Sequence, residues 1–195
     1  MLWRYALVKV GARRDARQRY VLAEPGAGDS PADAARRLLH FYGPATADEL
    51  QAWARVARSH ARRTWQELEG ELVDVRVDGR RGQLLAGDLD ALESPRSVAG
   101  LRLLPPGDPY LQQPNRALLV PDPQQRKRVF RPVASPGVVL QDGDVAGLWR
   151  SRLRGPRLEV EVEQLARIDT DALAAEAERV AGLRGAREAQ LTVRA

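Results

Sequence analysis

The chain has 195 residues, 44% of them hydrophobic and 29% charged, with no cysteine, which supplies apolar material for one large or two small cores and excludes disulfides, thiolate zinc sites and a cysteine nucleophile. No apolar run approaches the roughly 20 residues of a membrane span, and the opening MLWRYALVKV is too short and too soon charged for a signal peptide, so a cytoplasmic protein is expected. Its 31 basic and 26 acidic residues give a net charge of +5, and only Lys9 and Lys127 are lysines; the remaining cations are arginines, whose planar fork suits phosphate and guanine.

Tyr5–Val10 and Arg19–Leu22 are β-prone runs around the polar stretch Gly11–Arg17, which predicts a hairpin carrying Arg13, Arg14, Arg17 and Arg19. A lone two-stranded hairpin is marginal in water, so a preceding segment, or self-association through this edge, is expected to cover it. Ser30-Pro31-Ala32-Asp33 then starts a helix to about Tyr42: an N-cap, proline at the first helical position and an acid at the third. Leu38, Leu39 and Tyr42 should be its buried face, and Gly43-Pro44 stops it. Thr46 with Glu49 forms a capping box for a second helix whose inner face is Leu50 and Trp53. A third helix, Ser59–Glu69, places Ala61, Trp65 and Leu68 inward and Arg62, Arg63 and Gln66 outward. Leu72–Val77 and Gln83–Ala86 flank Asp78-Gly79-Arg80-Arg81, a specific hairpin signal. Three helices and a two-stranded wing read as a winged helix-turn-helix module over residues 30–94.

Proline then becomes frequent, from Pro95 to Pro136. Between these breakers Leu101–Leu104, Ala117–Val120 and Arg128–Phe130 read as short strands. A hairpin follows, Val138–Gln141 and Val145–Trp149 around Asp142-Gly143, its second strand reaching Arg154 before Gly155-Pro156 turns into Leu158–Val162. Thr170 caps a helix to about Arg184, and the last residues should fray. The expected fold is therefore α+β: a hairpin (1–24), the winged helix (30–94), and a small antiparallel β-barrel or sheet with a terminal helix (100–186).

Charge is localised. Between Gln124 and Arg157 there are eight basic residues (Arg126, Lys127, Arg128, Arg131, Arg150, Arg152, Arg154 and Arg157) against Asp142 and Asp144, +8 − 2 = +6. Arg150, Arg152 and Arg154 alternate, so an extended strand presents all three on one face. A phosphate backbone across them would relieve their repulsion; so would solvent, or pairing with Glu159, Glu161 and Glu163 on a neighbouring strand. The third helix is the candidate recognition helix, with Arg62, Arg63 and Gln66 suited to base edges or phosphates, although Glu67, Glu69, Glu71 and Asp74 lie close by. His40 and His60 form no metal motif, so no metal or cofactor is expected. Asp108, in Asp108-Pro109-Tyr110, is either a general acid or base or the cap of an Asp-Pro turn.

FYGPATADELQAWARV (41–56), LLPPGDPYLQQPNRALLVPDPQQRKRVFRP (103–132) and PGVVLQDGDVAGLWRSR (136–152) together resemble the C-terminal half of the winged-helix DNA-binding-domain proteins that include AlkZ/YcaQ-type DNA glycosylases. The resemblance implies tandem winged helices followed by a β-barrel, with residues 1–23 as the wing of a preceding module. It implies release of N7-alkylated bases, crosslinks included, without a metal. It also implies a catalytic Gln-x-Gln or Gln-x-Asp motif in the first module, and no such motif stands in this sequence; Gln112-Gln113 and Gln124-Gln125 are adjacent pairs. No catalytic residue carries over. The expectation is a double-stranded DNA binder using Arg62, Arg63, Gln66, Arg126, Lys127, Arg128, Arg131, Arg150, Arg152 and Arg154. The alternatives are an intact monofunctional glycosylase, if the true start lies upstream, and a non-catalytic regulatory or protein-interaction module.

Overall fold

The structure, a computed structural model, describes residues 6–10, 19–23, 30–95 and 97–194, the first two stretches as backbone only. The chain divides into two compact units at residues 94 and 95.

In the first unit, β1 (Ala6–Val10) pairs antiparallel with β2 (Arg19–Ala23); the connecting residues, Arg13, Arg14 and Arg17 among them, lie outside the described residues. Then come α1 (Pro31–Tyr42), α2 (Ala47–Ala54) and α3 (Arg58–Glu67), followed by the hairpin β3 (Leu72–Val77) and β4 (Arg80–Leu85) and the short α4 (Leu89–Glu93). Both expected capping boxes form, Ser30 with Asp33 and Thr46 with Glu49. The two-residue turn Asp78-Gly79 has φ of 49° and 80°, the positive pair that a right-twisted hairpin requires.

Leu38, Leu39, Leu50 and Leu68 are fully buried with Ala61 and Trp65 against them, and burial of each leucine contributes about 1.5–3 kcal/mol. The Trp65 indole donates to Gln83 Oε1 at 2.5 Å, and Gln83 exchanges backbone hydrogen bonds with Ala45 at 2.8 and 2.9 Å. These contacts bind the hairpin to the helices. Trp53, expected inside, is 37% exposed, its ring 6.4 Å from that of Tyr42. An eight-residue helix has one narrow inward stripe, and Leu50 takes it.

The second unit is built on a five-stranded sheet in the order β5 (Leu101–Leu104), β6 (Gly137–Gln141), β7 (Asp144–Arg154), β8 (Arg157–Gln164) and β9 (Glu188–Arg194). A second positive-φ turn, Asp142-Gly143, joins β6 to β7. One face carries Leu158, Val160, Val162 and Trp149, which α7 (Thr170–Leu183) covers with Leu173, Ala177 and Val180. The cap of α7 is Asp169, whose carboxylate accepts from the Asp171 and Ala172 amides, rather than Thr170.

The sheet does not close into a barrel, and three further expectations fail with that one. The last residues do not fray: they form β9, paired parallel to β8, so the sheet is mixed and the helix is not terminal. Helix α7 touches both edge strands. Its Glu176 accepts a hydrogen bond from the Leu103 amide of β5 at 3.1 Å, and its Glu178 accepts one from the Ala189 amide of β9, also at 3.1 Å. Carboxylates thus satisfy amides at both edges where closure would have used a strand.

Ala117–Val120 and Arg128–Phe130 are not strands. They fall in α5 (Arg116–Leu119) and α6 (Pro123–Val129), with Val120 and Phe130 as the respective C-caps. Asp122 accepts from the Gln124 and Gln125 amides at 2.6 and 2.9 Å, and Pro123 occupies the first helical position. That cap decides for helix where a short apolar run alone is ambiguous. The segment packs Leu111, Val120 and Val129 onto Val138 and Leu148, covering one end of the sheet's other face.

Candidate nucleic-acid interface

The uncovered part of that face is a charged ladder. Antiparallel register places Arg150 opposite Glu161 and Arg152 opposite Glu159, and parallel register places Glu163 beside Arg194. The carboxylates are engaged by neighbouring cations: Arg154 reaches Glu159 at 3.6 Å, Arg194 reaches Glu161 at 3.9 Å, and Arg128 on α6 bonds Glu163. Within the row Arg150, Arg152, Arg154, pairing with the sheet's carboxylates is realised at Arg154, while Arg150 and Arg152 have Glu161 and Glu159 only as register neighbours.

Where α6 overhangs the ladder there is a cleft of about 620 Å³. It gathers Lys127 and Arg128 of α6, Arg131 just beyond it, Arg150 of β7 and Arg194 of β9, against Glu161 and Glu163: +5 − 2 = +3. Arg150 donates to the Ala134 carbonyl at 3.1 Å, and the Lys127 and Arg131 side chains have no carboxylate partner among the described residues. Three cations in the last turn of α6 also complement its dipole.

The structure divides the residues expected to act together. Lys127, Arg128, Arg131 and Arg150 line one cleft, which Arg152 and Arg154 do not. Arg126 is spent locally, donating to the Val120 and Pro121 carbonyls at 2.7 and 3.0 Å. Sequence reasoning missed Arg194, since the residues after α7 were expected to fray; recognising the alternation in Glu188–Arg194 as a strand would have found it.

In the first unit Arg62, Arg63 and Gln66 are exposed on α3, and neither arginine is ion-paired among the described residues. The hairpin register sets Arg76 directly opposite Arg81, both exposed, a like-charge pair legible from the two-residue turn. Asp74, Arg76 and Arg81 share a groove of about 600 Å³ with Trp65 and Gln83.

The other sequence candidates are accounted for locally. Asp108 accepts from the Tyr110 amide at 2.9 Å, the Asp-Pro turn rather than a poised acid. His60 is exposed, and His40 Nδ1 lies 3.0 Å from Asp88 on the surface. Among the described residues no cluster of three potential metal ligands occurs, and no helix is long and apolar enough to cross a membrane.

Comparison with known proteins gives these features a context. The model of the family described as DNA glycosylase AlkZ-like matches residues 1–183. An interstrand DNA cross-link repair glycosylase of Streptomyces sahachiroi is 32% identical over 120 residues, which are 58% of this chain and 32% of that protein. The solved structure of Streptomyces sahachiroi DNA glycosylase AlkZ superposes with a TM-score of 0.75 at 24% identity, over 98% of this chain and 55% of its own. The chain thus spans about half of that solved protein and a third of the curated relative. With the family model matching nearly its whole length, the chain belongs to the AlkZ-like DNA glycosylase family.

Proposed function

We propose that this chain is a double-stranded DNA-binding member of its family that grips the phosphate backbone without supplying a hydrolytic centre of its own. The observation that carries the reading is the cleft under α6, where five cations face two carboxylates and Lys127 and Arg131 have no carboxylate partner among the described residues. Three helices and a hairpin in the first unit read as a winged helix, with α3 as recognition helix and Arg76 and Arg81 as backbone contacts from the wing. Arg62, Arg63 and Gln66 then supply the second set of contacts.

Binding of this kind is salt-dependent: about five neutralised phosphates give a log–log slope near −4.5 for affinity against salt. Fluorescence anisotropy with a generic 20-base-pair duplex from low to high salt tests it. A flat response, or no binding at low salt, would sink the reading.

A second reading is favoured by the chain's 55% coverage of the solved relative. In that reading the full protein is a monofunctional glycosylase that acts on alkylated or crosslinked bases, its catalytic Gln-x-Gln or Gln-x-Asp pair lying in a segment not represented in this sequence. The chain alone should then release no N7-methylguanine from alkylated DNA at any enzyme excess. Release by the chain alone would show that it carries a catalytic centre of different composition.

A further inference from the structure

The cleft under α6 differs from a surface that merely tracks a duplex. Its volume of about 620 Å³ falls within the roughly 300–1,000 Å³ of small-ligand sites, room for a nucleotide or two inside a cleft whose rim a duplex backbone can also meet. Its cations come from α6 and its exit on one side and from β7 and β9 on the other.

The arrangement also opposes a backbone lying along the strands. Arg150 faces Glu161 and Arg152 faces Glu159 in register, and Arg154 is 3.6 Å from Glu159, so phosphates laid along β7 would pass beside a row of carboxylates. A compact anion seated against Lys127 and Arg131 avoids that row. Nor does the cleft offer a stacking surface: Trp149, the one aromatic residue of its lining, is 3% exposed and donates its indole N–H to the Leu104 carbonyl at 2.7 Å. Such a site reads phosphate and ignores the base.

We propose that the cleft binds the terminal phosphate of a nucleic-acid strand. Lys127 and Arg131 hold the phosphomonoester, and Arg150 and Arg194 meet the adjoining phosphodiester. A terminal monoester carries about −1.5 to −2 charges at neutral pH, against one for an internal diester, and the net +3 of the cleft favours the former. The assignment rests on the nucleic-acid reading above.

Isothermal titration of the full chain with the dinucleotides pTpT, TpT and pApA, and with inorganic phosphate, tests it. The expected result is pTpT at least tenfold tighter than TpT, with pApA equal to pTpT. The double variant Lys127→Ala/Arg131→Ala should lose at least tenfold for pTpT, while Arg152→Ala, outside the cleft, stays within twofold. Thermal midpoints recorded alongside verify that the variants are folded. A pTpT affinity no better than that of TpT, or unchanged in the double variant, would overturn the proposal. Inorganic phosphate as tight as pTpT would overturn it too, marking a free-anion site. A blunt duplex without 5′ phosphates is run in parallel: if it binds and pTpT does not, only this proposal falls, and if neither binds, the nucleic-acid reading falls with it.

Discussion

Glu176 is the test of how an open five-stranded sheet is held without closure. It sits on α7 with 5% of its surface exposed, accepts the Leu103 amide of edge strand β5 at 3.1 Å, and takes Arg179 Nε and Nη2 at 2.6 and 2.7 Å. Glu176→Ala leaves the amide of Leu103, itself 4% exposed, without its partner, at about 1–3 kcal/mol for a buried donor. The Arg179 pair adds less than a buried pair would, because 54% of that guanidinium side chain faces solvent, so about 0.5 kcal/mol is appropriate. The expected loss is about 2–3 kcal/mol, or roughly 10–20 °C in the melting of a unit of this size. Glu176→Gln, which can still accept from the amide, should cost less than half of that.

The same residue sets a pH dependence. Burial opposes its ionisation, but the hydrogen bonds from Arg179 and the Leu103 amide, with the charges of Arg179 and Arg102, outweigh burial and hold its carboxyl below the usual range. A depressed folded value means that the stabilisation is fully present above the unfolded carboxyl's ordinary value, about 4.3, and is lost as pH falls through the lower folded one. The margin of the wild type over Glu176→Ala should therefore narrow as the pH falls below that value, toward the margin that Glu176→Gln retains. Differential scanning calorimetry at pH 7 and pH 3 reads both effects. A change under about 0.5 kcal/mol at pH 7, or a difference that widens in acid, would refute the reasoning.

Three other substitutions probe the site and its support. Glu163→Gln removes one carboxylate from the cleft and frees Arg128; at roughly 6–8 Å in a water-like dielectric this relieves about 0.6 kcal/mol of repulsion toward a bound phosphate, so duplex affinity should rise about threefold. Weaker binding in an anisotropy titration would mean that Glu163 itself contacts the nucleic acid. Gly137→Ala should destabilise the second unit by about 2–4 kcal/mol in urea, because its methyl group would collide with the Trp149 indole and lie 2.5 Å from the Leu104 carbonyl, breaking the hydrogen bond between them; an unchanged midpoint would show that the strand relaxes. Arg81→Glu turns a like-charge cross-strand pair with Arg76 into an attractive one, so the thermal midpoint should rise slightly while duplex affinity falls severalfold; unchanged affinity would remove the hairpin from the interface.

Much of the first unit was legible because its signals are local. Ser30 with Asp33, Thr46 with Glu49 and Asp78-Gly79 each specify backbone geometry within four residues, and all three formed. Trp53 misled because helical spacing marks an apolar residue without saying which side has room. In the second unit Asp142-Gly143 and the strand through Arg154 were equally local. That the sheet stays open was not, since it depends on Glu176 and Glu178 reaching edge amides, Glu176 doing so across 73 positions. For the same reason the cleft was only half visible. Alternation gave the face of Arg150, Arg152 and Arg154, but which cations meet depends on α6 folding back over the sheet and on β9 returning Arg194 to Glu161.

On the proposed reading the α6 cleft, not the total charge of the chain, holds DNA. It is tested most directly by the salt slope of duplex binding in Lys127→Ala/Arg131→Ala beside Arg152→Ala/Arg154→Ala. The first pair should shallow the slope by about two and weaken binding at least tenfold at moderate salt, while the second pair changes both much less. Equal effects of the two pairs, or a larger effect of the second, would contradict it.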